Sequence, residues 1–275
     1  FDGCTALEQV DFPNFECKKC QMMDGMFKEC KALKSVDLST FSFEEVVNMS
    51  YLFSQCTNLT EVILPKSAPI PKVKAAESMF QGCVGLKTLN FTFENAESLE
   101  IVNNLFDGCT ALEQVDFPNF ECKKCQMMDG MFKECKALKS LDLSKLQPEG
   151  VENMNSMFEG CSSLTSVSLA NFTLAENCAV ENEFEGCSSL KKMDLSGIKI
   201  PKSIDYKDMF KALDFHGVEV DLSKAEVSDE LIQYFEENGF IIIGSNASSP
   251  SNSDKNSSSS NKSPSSSNKS PSSSN

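Results

Sequence analysis

The chain has 275 residues, 40% of them hydrophobic, with 21 Phe, three Tyr, no Trp and a formal charge of −15. Residues 245–275 set Lys255, Lys262 and Lys269 against Asp254, so residues 1–244 carry −17. A body this acidic repels phosphate backbones and anionic lipid surfaces, and no run approaches the roughly 18 apolar residues of a membrane span, which excludes nucleic acid as a partner and membrane insertion of this chain.

In chain order, the first feature is a Phe that returns. It stands at Phe1, Phe27, Phe53, Phe80, Phe106, Phe132, Phe158, Phe184 and Phe210, with a spacing of 26 residues broken once by 27 between Phe53 and Phe80. Three residues after it comes Cys4, and the same place holds Cys30, Cys56, Cys83, Cys109, Cys135, Cys161 and Cys187, while the ninth unit has Leu213. Next come Leu7, Val10 and Phe12 and their counterparts, such as Leu33, Val36 and Leu38. The alternation at Val36 and Leu38 predicts a short half-buried strand in each unit. The stretch before each Phe has a helical period: Val46, Met49 and Phe53 share one helical face, as do Met154, Met157 and Phe158. One short strand and one short helix cannot bury their apolar faces alone, but stacked copies cover one another. The expected fold is therefore an α/β solenoid over residues 1–210, a right-handed superhelix with a parallel sheet on one face and short helices on the other. At about 4.8 Å per strand, nine units extend roughly 40 Å.

Residues 1–35 are identical to residues 106–140, an offset of four units, which points to a recently copied block. Phe1 opens in mid-repeat, so we expect the array to be the end of a longer one. After Phe210 the pattern decays. Residues 211–244 read as a capping strand–helix–strand: Val218, Val220 and Leu222 alternate, Ser228 offers an N-cap, Leu231, Ile232 and Phe235 make a helical face, Gly239 ends it, and residues 240–243 form a buried strand. From Ser245 the chain is Ser, Asn, Lys and Pro, with Asn-Lys-Ser-Pro-Ser-Ser-Ser starting at Asn261 and again at Asn268. Residues 245–275 have nothing apolar to bury and read as a disordered stalk or linker, with or without O-linked sugar.

Residues that carry chemistry elsewhere point here to structure. Eight of the 13 Cys form the repeat ladder and read as small buried hydrophobes needing no partner, with disulfide pairing along the ladder as the alternative. Cys17-Lys-Lys-Cys20 recurs as Cys122-Lys-Lys-Cys125, but the two pairs lie four units apart, about 19 Å at the strand spacing, and cannot share a zinc ion. A local disulfide or free thiols is the expectation for each pair. His216 is the only His, in the degenerate ninth unit, so a Ser-His-Asp or Cys-His site would have to use it. Asp37, Asp116, Asp142 and Asp194 recur in the strand motif on the face away from the core, as a solvated face or a site for a cation or basic partner. Sequons begin at Asn48, Asn58, Asn90, Asn171, Asn246, Asn256, Asn261 and Asn268. No catalytic, cofactor-binding or metal-binding residues are assigned, and an enzyme is not expected.

The unit typified by residues 153–172, with its M-x-x-M-F-x-x-C-x-x-L-x-x-L-x-L core, resembles the 26-residue repeat of BspA-like leucine-rich-repeat surface proteins over about residues 1–210. That resemblance implies a leucine-rich-repeat-like right-handed solenoid, displayed on a cell surface or outside the cell. It also implies adhesion or host-matrix binding for some members; the expectation for this chain is a monomeric module that binds protein or glycan ligands through the solenoid surface, in adhesion or host contact. The alternatives from the sequence are a structural or antigenic coat protein without a specific ligand, and an intracellular scaffold.

Overall fold

A computed structural model describes residues 1–12, 18–210 and 216–244. Leu213, Cys17 and the stalk assigned to residues 245–275 lie outside the described residues.

The elements in chain order are β1 (Gln9–Val10), β2 (Ser35–Asp37), β3 (Glu61–Ile63), β4 (Ala68–Pro69), β5 (Thr88–Asn90), β6 (Phe93–Glu94), β7 (Gln114–Asp116), β8 (Ser140–Asp142), β9 (Glu149–Asn153) and β10 (Ser166–Ser168). They continue with β11 (Thr173–Ala179), β12 (Lys192–Asp194), α1 (Tyr206–Phe210), β13 (Glu219–Asp221), α2 (Asp229–Glu237) and β14 (Ile241–Ile243). The repeated V-x-L segments supply the main face, a row of parallel strands ordered β1, β2, β3, then β5, β7, then β8, β10, β12, β13, β14. The register is one unit per step: Val36 pairs with Val62, Val167 with Met193, Met193 with Val220. A second parallel track runs along the connectors through single bridges linking Met22, Asn48, Ala75, Ile101, Met127 and Asn153, and through β9 with β11. The fold is thus a parallel-strand solenoid with few helices.

The core is the set of residues that recur. Phe27 through Phe184 and their following Cys and Leu are almost wholly buried, as are the central strand residues Val36, Leu141 and Met193. The Phe rings form one continuous stack from Phe1 to Phe210: successive centroids are 5.3 to 6.0 Å apart, and successive planes differ by at most 18°. Phe91 and Phe117, from the strand-end position, meet this stack edge-on at Phe106. Spacing places the rings in register, and their shape keeps neighbouring units from slipping.

The wall opposite the strands differs from the expected helices. Residues 50–55 are consecutive turns. The amides of Met49, Tyr51, Phe53 and Gln55 donate to Ala75, Glu77, Met79 and Gln81 in the next unit, at 2.7 to 3.0 Å, while those of Leu52, Ser54 and Cys56 close turns within their own unit. Tyr51 and Gln55 have φ of 60° and 63°, and the same two places are left-handed in successive units, for example Gly25 and Glu29, Asn104 and Gly108, Ser156 and Gly160. A left-handed residue every fourth position breaks an α-helical ladder. A segment of about eight residues also nucleates helix poorly alone, whereas a neighbouring unit satisfies its amides at once. The apolar period that suggested a helix is the inward face of this turn wall. In the ninth unit and in the cap the wall is helical, as α1 and α2. A helix turns the amides beyond its first turn onto its own carbonyls rather than onto a neighbouring unit, so the inter-unit ladder ends there. Ser228 caps α2 by accepting from the Leu231 amide at 3.2 Å.

Candidate ligand-binding face

In each three-residue strand of the main face the middle residue points into the core and its two neighbours point outward. The outward residues make two rows across the sheet. The first runs Gln9, Ser35, Glu61, Thr88, Gln114, Ser140, Ser166, Lys192, Glu219 and Ile241; the second runs Asp11, Asp37, Ile63, Asn90, Asp116, Asp142, Ser168, Asp194, Asp221 and Ile243. Over β7 to β12 the rows line a depression of about 530 Å³ that includes Gln114, Asp116, Ser140, Asp142, Ser166, Ser168, Lys192 and Asp194, with Pro118 and Lys145 at its rim.

The acidic residues of the second row serve the fold as well as the face. One carboxylate oxygen of Asp37, Asp142, Asp194 and Asp221 accepts from the amide two residues on, at Ser39, Ser144, Ser196 and Ser223, at 2.8 to 3.0 Å. This turns the chain at the end of each strand. The Ser39 and Ser223 hydrogen bonds hold the Asp37 and Asp221 carboxyls below the usual carboxylate range. The second oxygen of Asp194 accepts from the Ser168 hydroxyl at 2.9 Å, and that of Asp116 from the Gln114 amide at 2.7 Å. The face is therefore a preset array of hydroxyls, carboxylates and ammonium groups. Its chemistry is hydrogen bonding and charge pairing. A second depression, of about 830 Å³, opens on the connector side between Glu94, Glu97, Asn119, Lys123, Lys124 and Glu149.

The cysteine ladder has a partner that its spacing did not reveal. The thiols of Cys30, Cys56, Cys83, Cys109, Cys135, Cys161 and Cys187 each donate to the carbonyl of the Phe one unit earlier, Phe1 through Phe158, at 3.0 to 3.2 Å. All seven are free thiols, so the ladder is not disulfide-paired. Burial pushes Cys56 and Cys187 up to about 12 and Cys83, Cys109, Cys135 and Cys161 higher than their ordinary range. Such thiols are inert as nucleophiles. Cys122 and Cys125 are buried free thiols, whereas Cys20, in the identical motif, is in a disulfide. Among the described residues no group of three or more His, Cys, Asp or Glu is placed to hold a metal ion. His216 is exposed, with its ring against Gly239 in the terminal cap. Asn58, Asn90 and Asn171 are exposed, and Asn48 is half-buried with its side-chain oxygen taking the Ser50 amide. The other four sequons lie outside the described residues.

One buried group escaped the reading of the sequence. Glu183 has no exposed surface and stands in a column that is otherwise Met or Leu. Comparing the units at the position before each Phe would have singled it out.

A family model described as "Mycoplasma protein of unknown function, DUF285" matches residues 1–93, 74–198 and 100–224. Among solved structures the chain is similar to a leucine-rich repeat protein of T. pallidum, at 18% identity over 86% of this chain and 83% of that one, with a TM-score of 0.34. It is also similar to an internalin from Listeria monocytogenes, at 14% identity over 80% of this chain and 63% of that one, TM-score 0.34. A third is a leucine rich cell surface protein from Faecalibacterium prausnitzii, at 16% identity over 63% and 64% of the two chains, TM-score 0.22. No curated protein matches. Among the described residues no helix is long and apolar enough to cross a membrane.

Proposed function

We propose a function from the premise that the chain belongs to the family described as "Mycoplasma protein of unknown function, DUF285": it is a binding module whose strand face holds a protein or glycan ligand at a cell surface, in adhesion or host contact. One observation carries this reading. The strands present two unbroken outward rows, and the depression over β7 to β12 gathers hydroxyl, carboxylate and ammonium groups on rigid strands rather than on loops. Rigid elements lower the cost of ordering polar contacts when a partner docks. The ladder thiols are spent on hydrogen bonds within the fold, which favours a scaffold over a reactive site.

A second reading has its own support. The block at residues 1–35 recurs unchanged at 106–140, so Gln9 and Asp11 on the face reappear as Gln114 and Asp116. An array lengthened by whole blocks suits a spacer or coat. Binding of the full chain to host cells and to immobilised matrix separates the two. The module reading expects saturable, competable binding that weakens at least tenfold when Asp142, Lys192 and Asp194 are changed together to Ala. Absence of saturable binding leaves the coat reading standing and removes the first.

A further inference from the structure

The residue before each stacked Phe is Met26, Leu52, Met79, Leu105, Met131, Met157, Glu183 and Met209 in successive units. Seven are apolar; the exception is fully buried. Neither carboxyl oxygen of Glu183 has a hydrogen-bond partner among the described residues. The Met157 amide faces the carboxyl and opposes the effect of its burial, but it donates to the Met154 carbonyl at 3.3 Å. The titratable groups in electrostatic reach are Asp129, Cys161, Cys178 and Cys187. All are acids, and none carries a positive charge. On the far side Met209 of α1 is the residue in register; the charged residues of that helix are Lys207, which is exposed, and Asp208, which is half-buried.

An ionised carboxylate in an apolar column, without a donor or a cation, is strongly disfavoured, so the folded state holds this group protonated. Burial accordingly pushes the Glu183 carboxyl well above its ordinary range. The position is also a junction. The Glu183 carbonyl takes the Phe158 amide at 3.0 Å, and its neighbours Glu181 and Glu185 take those of Ser156 and Gly160. These bonds tie the seventh unit to the eighth, just before the wall changes from turns to α1. The eighth unit also carries β12, which lines the depression on the strand face.

We propose that Glu183 is a pH-sensitive latch, which keeps the C-terminal units packed while its carboxyl is neutral and loosens them when it ionises. The sign follows from linkage. Between the unfolded and folded pKa values the native state holds one more proton than the unfolded chain. The stabilisation is complete below the ordinary Glu value of 4.5 and is lost as pH rises toward the raised folded value. Within that window the unfolding constant rises up to about tenfold per pH unit from this group alone.

The test is urea unfolding of the full chain from about pH 5 to about pH 8, for the wild type, Glu183→Met and Glu183→Gln, since that range spans the expected loss. The variants should lack the wild-type loss of stability with rising pH, and Glu183→Met should converge with the wild type only toward acid. Amide exchange at Ser156, Phe158 and Gly160, corrected for intrinsic rates, should accelerate with pH in the wild type relative to Glu183→Met. Glu183→Gln keeps the shape without the titration, so its slope decides the matter even if the Met variant folds poorly. Parallel pH profiles for wild type and Glu183→Gln overturn the proposal.

Discussion

The thiol of Cys109 touches the carbonyl of Phe80, 29 residues earlier, and the same contact recurs along the array. A Cys at this place supplies both a small apolar volume and a donor, which Ala or Val does not. Cys109→Ala should cost about 1–3 kcal/mol in urea unfolding, from a lost weak hydrogen bond and a small cavity. Cys4 is exposed while the other free thiols are buried. In native buffer near neutral pH, a thiol reagent should label Cys4 quickly and the ladder thiols only after unfolding, because burial holds Cys56 and Cys187 near 12. Fast native labelling of the ladder would sink the assignment. Backbone sign matters at the same scale. Gly108 has φ of 71° and nothing closer than 3.8 Å to an added Cβ, so Gly108→Ala isolates the left-handed strain and should cost about 1–2 kcal/mol. Gly186→Ala should cost more, since its Cβ would come within 3.3 Å of the Gly160 backbone, which cannot swing aside as a side chain can.

Each element answers to the neighbouring unit more than to its own sequence. Phe132 stacks on Phe106 at 5.4 Å and on Phe158 at 6.0 Å, with no exposed surface, whereas Phe1 is half exposed. Phe132→Ala should cost about 3–5 kcal/mol by thermal or urea unfolding, and Phe1→Ala under half as much. Equal losses would contradict the stack as a core element. The turn wall makes a second expectation. The described helices, α1 and α2, hold five and nine residues. Far-UV circular dichroism should therefore show a weak helical signal; a strong minimum near 222 nm would restore the helical wall read from the sequence.

For the whole molecule, nearest-neighbour contacts dominate, and stability should accumulate unit by unit. Removing residues 106–131 puts Phe132 in the place of Phe106 and leaves every column in register. That variant should fold, with a lower Tm and an unchanged circular dichroism shape. Removing 13 residues from the same point, about half a unit, should abolish cooperative melting, because strands and rings then face the wrong columns. Cooperative melting of both variants at the same temperature would contradict a stacked array.

The solenoid was legible in the sequence because its cause is one-dimensional. Phe, Cys, Leu and the V-x-L pair return every 26 residues, and a unit that cannot bury its own face must stack. The strand residues, the inward rows and the outward acids follow from period alone. What the tertiary structure decided is what depends on the neighbour. Val46, Met49 and Phe53 have the period of a helix, yet the amides of Met49, Tyr51 and Phe53 point along the stack to Ala75, Glu77 and Met79, because those carbonyls lie within reach only once the units are assembled. The ladder cysteines read as inert apolar residues, and only stacking places a carbonyl against each thiol. Glu183 is polar in sequence and buried in the molecule, since its environment is made by the two units that enclose it. Local pattern sets which residues turn inward; contact between successive units sets what each of them meets there.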